Sequence, residues 1–233
     1  MENYLEINYE NNMKMLSEAI KCCEDNYSHE DIIEVLKSDD DIKKQFCLIE
    51  LKSINNQEEA NILVHNLTNH SGPIRETSAF KIGELIFQNE YKKYFQTKEI
   101  IDSFVKAITD INPSVSRYTV EFIKNIDDVE YLYKRIIEEI IITLSKTDET
   151  VKNRSYVQNK KNFNLYWNLE AIIAISENIS APKEIEEILQ KTALFNDYTI
   201  REKTAKVASV LKIESVLNLL KDDDNVYVKK YLK

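Results

Sequence analysis

Glycine occurs only twice in these 233 residues, at Gly72 and Gly83, and proline three times. A phosphate-binding loop, a dinucleotide fingerprint or an all-β fold with tight turns each needs several glycines, for positive φ or for close backbone approach. All three are excluded. No run of about 18 uninterrupted apolar residues is present, the length needed to span a bilayer as a helix. The longest apolar cluster, Ile136 to Ile142, carries Glu138 and Glu139 in its middle and reads as an amphipathic helix. The start, Met1-Glu2-Asn3-Tyr4, lacks the basic and apolar segments of a signal peptide. The cysteines are Cys22, Cys23 and Cys47, an odd number with two adjacent, which points to a reduced, cytoplasmic setting.

Catalytic and metal-binding patterns are equally scarce. His65 and His70 are five residues apart, so they do not share a helix face as a zinc-binding i, i+4 pair would. The runs Asp39-Asp40-Asp41 and Asp222-Asp223-Asp224 lack the glycine and terminal glutamate of a calcium loop. No serine sits in a nucleophile elbow. The chain reads as a non-enzyme with no metal and no cofactor.

What is present is helical periodicity with a recurring compound signal. An apolar helix end is followed by a turn of Asp, Asn, Ser or Gly, then an Ile or Val anchor, and usually a basic residue. The anchors are Ile42, Ile74, Val115, Val151, Ile200 and Val228, spaced by 32, 41, 36, 49 and 28 residues. Each unit reads as a helix pair whose turn supplies a cap for the second helix. Pro73 and Pro113 fall near a first helical turn, where the missing N–H costs nothing. Four or five residues beyond the anchors come small side chains that allow close helix approach: Ser78 and Ala79, Thr119, Ser155, Thr204 and Ala205. A pair of this kind has an apolar face it cannot cover alone, so neighbours must stack.

The stretches Gly72-Pro73-Ile74-Arg75-Glu76-Thr77-Ser78-Ala79, Asn112-Pro113-Ser114-Val115 and Asp197-Tyr198-Thr199-Ile200-Arg201 carry a resemblance to the HEAT-repeat family in its degenerate bacterial form. Ser116 departs from the pattern, with Arg117 one place later, and the fourth unit lacks the alanines. The resemblance implies an all-α, right-handed α-solenoid of about six helix pairs. An N-terminal segment and capping helix would occupy 1–27 and the array 28–233, with pairs near 28–54, 56–89, 98–126, 128–178, 183–212 and 213–233. It implies binding of other macromolecules rather than a reaction. It also implies that Arg75 and Arg201 bond the Asp or Asn of a neighbouring turn.

The net charge of −9 is unevenly spread. First helices of the pairs are acidic throughout, through residues such as Glu58, Glu59, Glu184, Glu186 and Glu187. Second helices become basic from the third unit onward, through Arg117, Lys124, Lys152, Arg154, Lys160, Lys161, Arg201, Lys203 and Lys206. Family resemblance places second helices on the concave side, so the expected function is a protein-interaction scaffold that binds an acidic protein segment there. A surface of one sign attracts a partner of the other. The fourth unit is the longest, and its polar stretch 152–162 reads as a loop before the second helix, with Tyr156, Tyr166 and Trp167 as aromatic candidates for contact. Phe163 and Trp167 share i, i+4 spacing and are expected in the core, as are Phe80, Phe87 and Phe122 between repeats. The alternative function is a nucleic-acid-binding or DNA-repair solenoid of the glycosylase kind, disfavoured because phosphate binding needs more neutralising charge than half a groove supplies. A monomer is the expected state.

Overall fold

The computed structural model describes residues 13–14, 17, 20–21, 24, 27–145, 154–179 and 183–232, with backbone alone at 154–158, 178 and 183. Among the described residues there are thirteen α-helices and no strand, so the protein is all-α. The chain divides into two compact units, 1–95 and 96–233, inside the stretch that the sequence reading draws as one array. The residues assigned to a capping helix lie largely outside the described ones; those described before Tyr27 are helical and exposed.

In the first unit, α1 (His29–Lys37) starts from a reciprocal cap in which the Ser28 hydroxyl accepts from the Asp31 amide and the Asp31 carboxylate accepts from the Ser28 amide. It turns into α2 (Asp41–Glu50), whose cap Asp40 accepts from the Lys43 amide at 3.1 Å. The second pair is α3 (Gln57–Asn69), capped by Asn56, and α4 (Gly72–Ile86), which carries Pro73 in its first turn. A short helix α5 (Asn89–Lys92) and a 3₁₀ turn, Lys93–Phe95, close the unit. α1 packs on α3 and α2 on α4, so first helices form one layer and second helices another. Leu36, Leu48, Leu63, Leu67, Ile74, Ala79 and Ile82 are buried between the layers.

The second unit repeats the arrangement. α6 (Lys98–Ile108) pairs with α7 (Pro113–Phe122), which ends in a 3₁₀ turn at Ile123–Asn125. α8 (Val129–Ser145) pairs with α9 (Arg154–Ile175), and α10 (Lys183–Thr192) with α11 (Tyr198–Leu211). Two short helices follow, α12 (Glu214–Leu220) and α13 (Val226–Lys229). Contacts run α6 to α8 to α10 to α12 in one layer and α7 to α9 to α11 to α13 in the other. The turn residues cap as their chemistry dictates: Asn112, Asp197 and Asn225 each accept from the backbone N–H two residues on, at 2.9 Å. The small positions Ser78, Ala79, Thr119, Thr204 and Ala205 are fully buried; the Ser155 side chain lies outside the described residues.

Three expectations are corrected. The segment expected as a loop at 152–162 is helical from Arg154 onward, an extension of α9. It contains neither glycine nor proline, and a helix nucleated by the buried stripe Leu165, Leu169 and Ile172 propagates backward at small cost. Phe80 and Phe87 are exposed, at 45% and 55%, because Ser78 and Ala79 hold the buried face of α4 and Phe80 projects a further ~100° around the helix. Only Phe122 of that trio is buried, edge-to-face with Phe104. Phe163 and Trp167 are half-buried rather than core, since the inward register on α9 runs through Leu165, Asn168 and Leu169.

Candidate functional site

In three of the units the anchor-plus-one residue ties the interhelix turn to the second helix. Arg75 Nη1 donates to the His70 carbonyl at 2.6 Å, and Arg201 Nη1 donates to the Phe195 and Asn196 carbonyls at 2.8 and 2.9 Å. Ser116, where the pattern expects a base, is fully buried and its hydroxyl donates to the Asp110 carbonyl at 3.1 Å. Serine therefore does the turn-closing part of the arginine's work. Arg117, one position later, projects outward, with Tyr118 beneath its guanidinium at 5.8 Å.

Arg201 does more than close its turn. Its Nε and Nη2 hold both oxygens of Asp223, at 2.6 and 3.2 Å, across to the turn before α13. Those hydrogen bonds hold the Asp223 carboxyl below the usual carboxylate range and raise the Arg201 guanidinium. Burial alone would raise the cap Asp197; donation from Thr199 and from Asn162 of α9, with the Arg201 charge nearby, reverses this and lowers it.

The other predicted cations divide by what they touch. Lys203 is buried against Glu170 of α9, and Lys206 reaches the same carboxylate at 3.9 Å. Burial would lower the Lys203 ammonium, but the Glu170 hydrogen bond and charge raise it instead. Tyr166, half-buried, lies under Lys203 at 4.8 Å and stacks edge-to-face on Trp167 at 5.3 Å. Lys124 is exposed and grips Glu121 through both carboxylate oxygens at 3.0 Å. Lys161 sits 5.9 Å over the Phe195 ring. Lys160 is exposed and forms no ion pair among the described residues. Lys152 lies outside the described residues, as do the side chains of Arg154 and Tyr156.

Glu170 is the residue whose role charge counting does not show: the sum counts it as one negative charge, but not that it is the carboxylate facing both Lys203 and Lys206. Its position between Lys203 and Lys206 depends on which helix faces which, and a helix-by-helix sum carries no such information. In the same unit, the structure forms a cleft of about 370 Å³ lined by the α6–α7 turn and the α9 extension. Ile111, 81% exposed, and Phe163 supply its apolar walls, and Thr109, Asn159, Lys160 and Asn164 its polar ones.

A second cleft, of about 450 Å³, lies in the first unit and joins residues that spacing kept apart. The α3–α4 turn brings the His65 and His70 rings to 5.5 Å, edge to face. Lys44 of α2, 1% exposed, donates to His70 Nε2 at 3.1 Å. Burial, then the Lys44 and His65 charges, lower the His70 imidazole below its ordinary value, against the opposing pull of Asp41 and Asp39. An unfolded chain protonates this imidazole near pH 6.5 while the folded one resists, so the resulting stability is complete above that pH and falls as pH drops below it. Thermal melts at pH 7.5 and 5.5 are expected to show a smaller acid loss in His70→Gln than in wild type; an equal loss would refute the assignment. Among the described residues no group of three or more His, Cys, Asp or Glu could hold a metal ion. No described helix is long and apolar enough to cross a membrane.

No protein-family model matches the chain, and no curated protein matches it. Solved structures do match. One is an engineered protein 16% identical at a TM-score of 0.48, spanning 89% of this chain and 94% of that one. Another engineered protein is 17% identical at 0.46, spanning 88% of this chain and 56% of that one.

Proposed function

We propose that the protein is a HEAT-type, right-handed α-solenoid acting as a non-enzymatic, monomeric, cytoplasmic interaction scaffold, and that it binds an acidic protein segment across the second helices of residues 96–233. The supporting observation is the side-by-side layer α7, α9 and α11. It presents Lys160 in the wall of the 370 Å³ cleft, Arg117 exposed on α7, and Lys161 and Lys206 partly exposed on α9 and α11. Such a layer suits a segment that seats one apolar side chain between Ile111 and Phe163 and sets acidic neighbours against the lysines. An apolar anchor supplies most of the affinity, and charge supplies attraction and register.

The probe is a labelled peptide of alternating Glu and Asp around a single Phe, followed by fluorescence anisotropy. Lys160→Glu/Lys206→Glu is expected to weaken binding about tenfold, the sum of two reversed charges, one exposed and one partly exposed, at ~0.7 kcal/mol each. Unchanged affinity refutes the reading. DNA and RNA of equal length, tested at two salt concentrations, form the other arm. Tight nucleic-acid binding that collapses with salt would replace the protein-binding reading with the nucleic-acid one.

A further inference from the structure

Lys44 poses an electrostatic problem that the first unit does not solve internally. Its side chain is buried, an ammonium has three donors, and among the described residues its only partner is the neutral nitrogen of His70. No carboxylate pairs with it, unlike Lys37, which meets Glu58 at 3.4 Å, or the buried Lys81, which meets Glu84 at 2.6 Å. Buried charges are ordinarily paired, because leaving one without a counter-ion forfeits its hydration for nothing.

The same lysine lines the 450 Å³ cleft, a volume within the range of small-molecule sites. Leu36 and Ile62 give that cleft an apolar wall; Asn61 and His65 give it further hydrogen-bonding groups. Lys37, Asp39 and Glu58 also line it; the Lys37–Glu58 pair offsets itself, and the remaining Asp39 repels a ligand of one negative charge half as strongly as one of two. We propose that this cleft binds a small organic monocarboxylate, its carboxylate on the Lys44 ammonium and its hydrocarbon against Leu36 and Ile62. The site is separate from the acidic-segment surface of residues 96–233 and does not depend on it.

Hexanoate is the probe, titrated into the full-length protein while the ring signals of His65 and His70 and the methyl signals of Leu36 and Ile62 are followed by NMR. Saturable shifts in those four residues are expected, together with a rise in the His70 titration midpoint as a negative charge arrives beside it. Lys44→Met keeps an unbranched chain one atom shorter and removes the charge; it is expected to weaken binding at least tenfold. Ile62→Trp fills a half-exposed wall and leaves Lys44 in place, so it reports on the cleft even if Lys44→Met fails to fold, and it is expected to weaken binding similarly. The proposal is overturned by an absence of saturable shifts at tens of millimolar hexanoate, or by wild-type affinity in Ile62→Trp. Inorganic phosphate binding there as tightly as hexanoate would overturn the monocarboxylate assignment.

Discussion

Phe104→Ala is expected to destabilise residues 96–233 by about 3–5 kcal/mol, seen in urea unfolding as a lower midpoint at unchanged slope. Phe104 is fully buried on α6, and its ring meets Phe122 of α7 at 4.7 Å and 67°, the edge-to-face geometry that joins the two helices of the pair. Truncation removes the transfer energy of a benzyl group and leaves a cavity that two helices joined by a short capped turn have little freedom to close. Phe80→Ala is the control, because that ring is 45% exposed and its loss is expected to cost no more than about 1 kcal/mol. Similar losses in the two variants would mean that Phe104 does not hold its pair together.

Arg201→Ala is expected to cost about 3 kcal/mol, since it strands a carboxylate as well as deleting a cation. Asp223 keeps only 6% of its side-chain exposure and Arg201 19%, so solvent screens their pair weakly. The Phe195 and Asn196 carbonyls lose their donor in the same step. Arg201→Lys is not expected to restore stability, because one ammonium cannot span both Asp223 oxygens and two carbonyls. The pair also fixes an acid dependence. The folded Asp223 carboxyl is held below its unfolded value, so its contribution is present above about pH 4 and is lost as the pH falls through the folded value. Stability measured from pH 5 downward should therefore fall less steeply in Arg201→Ala than in wild type. A parallel fall in both would refute the clamp.

The turns were the most legible part of the molecule. Asp40, Asn112, Asp197 and Asn225 cap helices because a short side-chain oxygen next to the first helical turn finds an amide whatever lies elsewhere in the fold. The same locality made Ser78, Thr119 and Thr204 readable as buried small positions. The α9 extension was misread for the opposite reason. A polar stretch rich in Asn and Lys weakly favours loop, and that preference yielded to a helix whose buried part begins at Leu165.

The candidate surface was legible in kind but not in detail. Residue type marks a lysine as a cation; it does not mark Glu170 as the carboxylate that Lys203 and Lys206 share, because those residues lie on different helices. Nor does a spacing of five reveal that a turn folds His70 back onto His65 and delivers it to Lys44 from another helix.

From the amino-acid order alone come the all-helical class, the positions of the turns and their caps, and the small buried residues that follow the anchors. Each of these depends on neighbours within about one helical turn, where chain connectivity does the selecting. Only the tertiary structure decides which charges are spent on each other, which aromatic rings are exposed and where clefts open. Those properties are set by residues far apart in the chain, such as Arg201 and Asp223, 22 positions apart, and Lys44 and His70, 26 apart, and burial rather than residue type governs the strength of a charge once it is there.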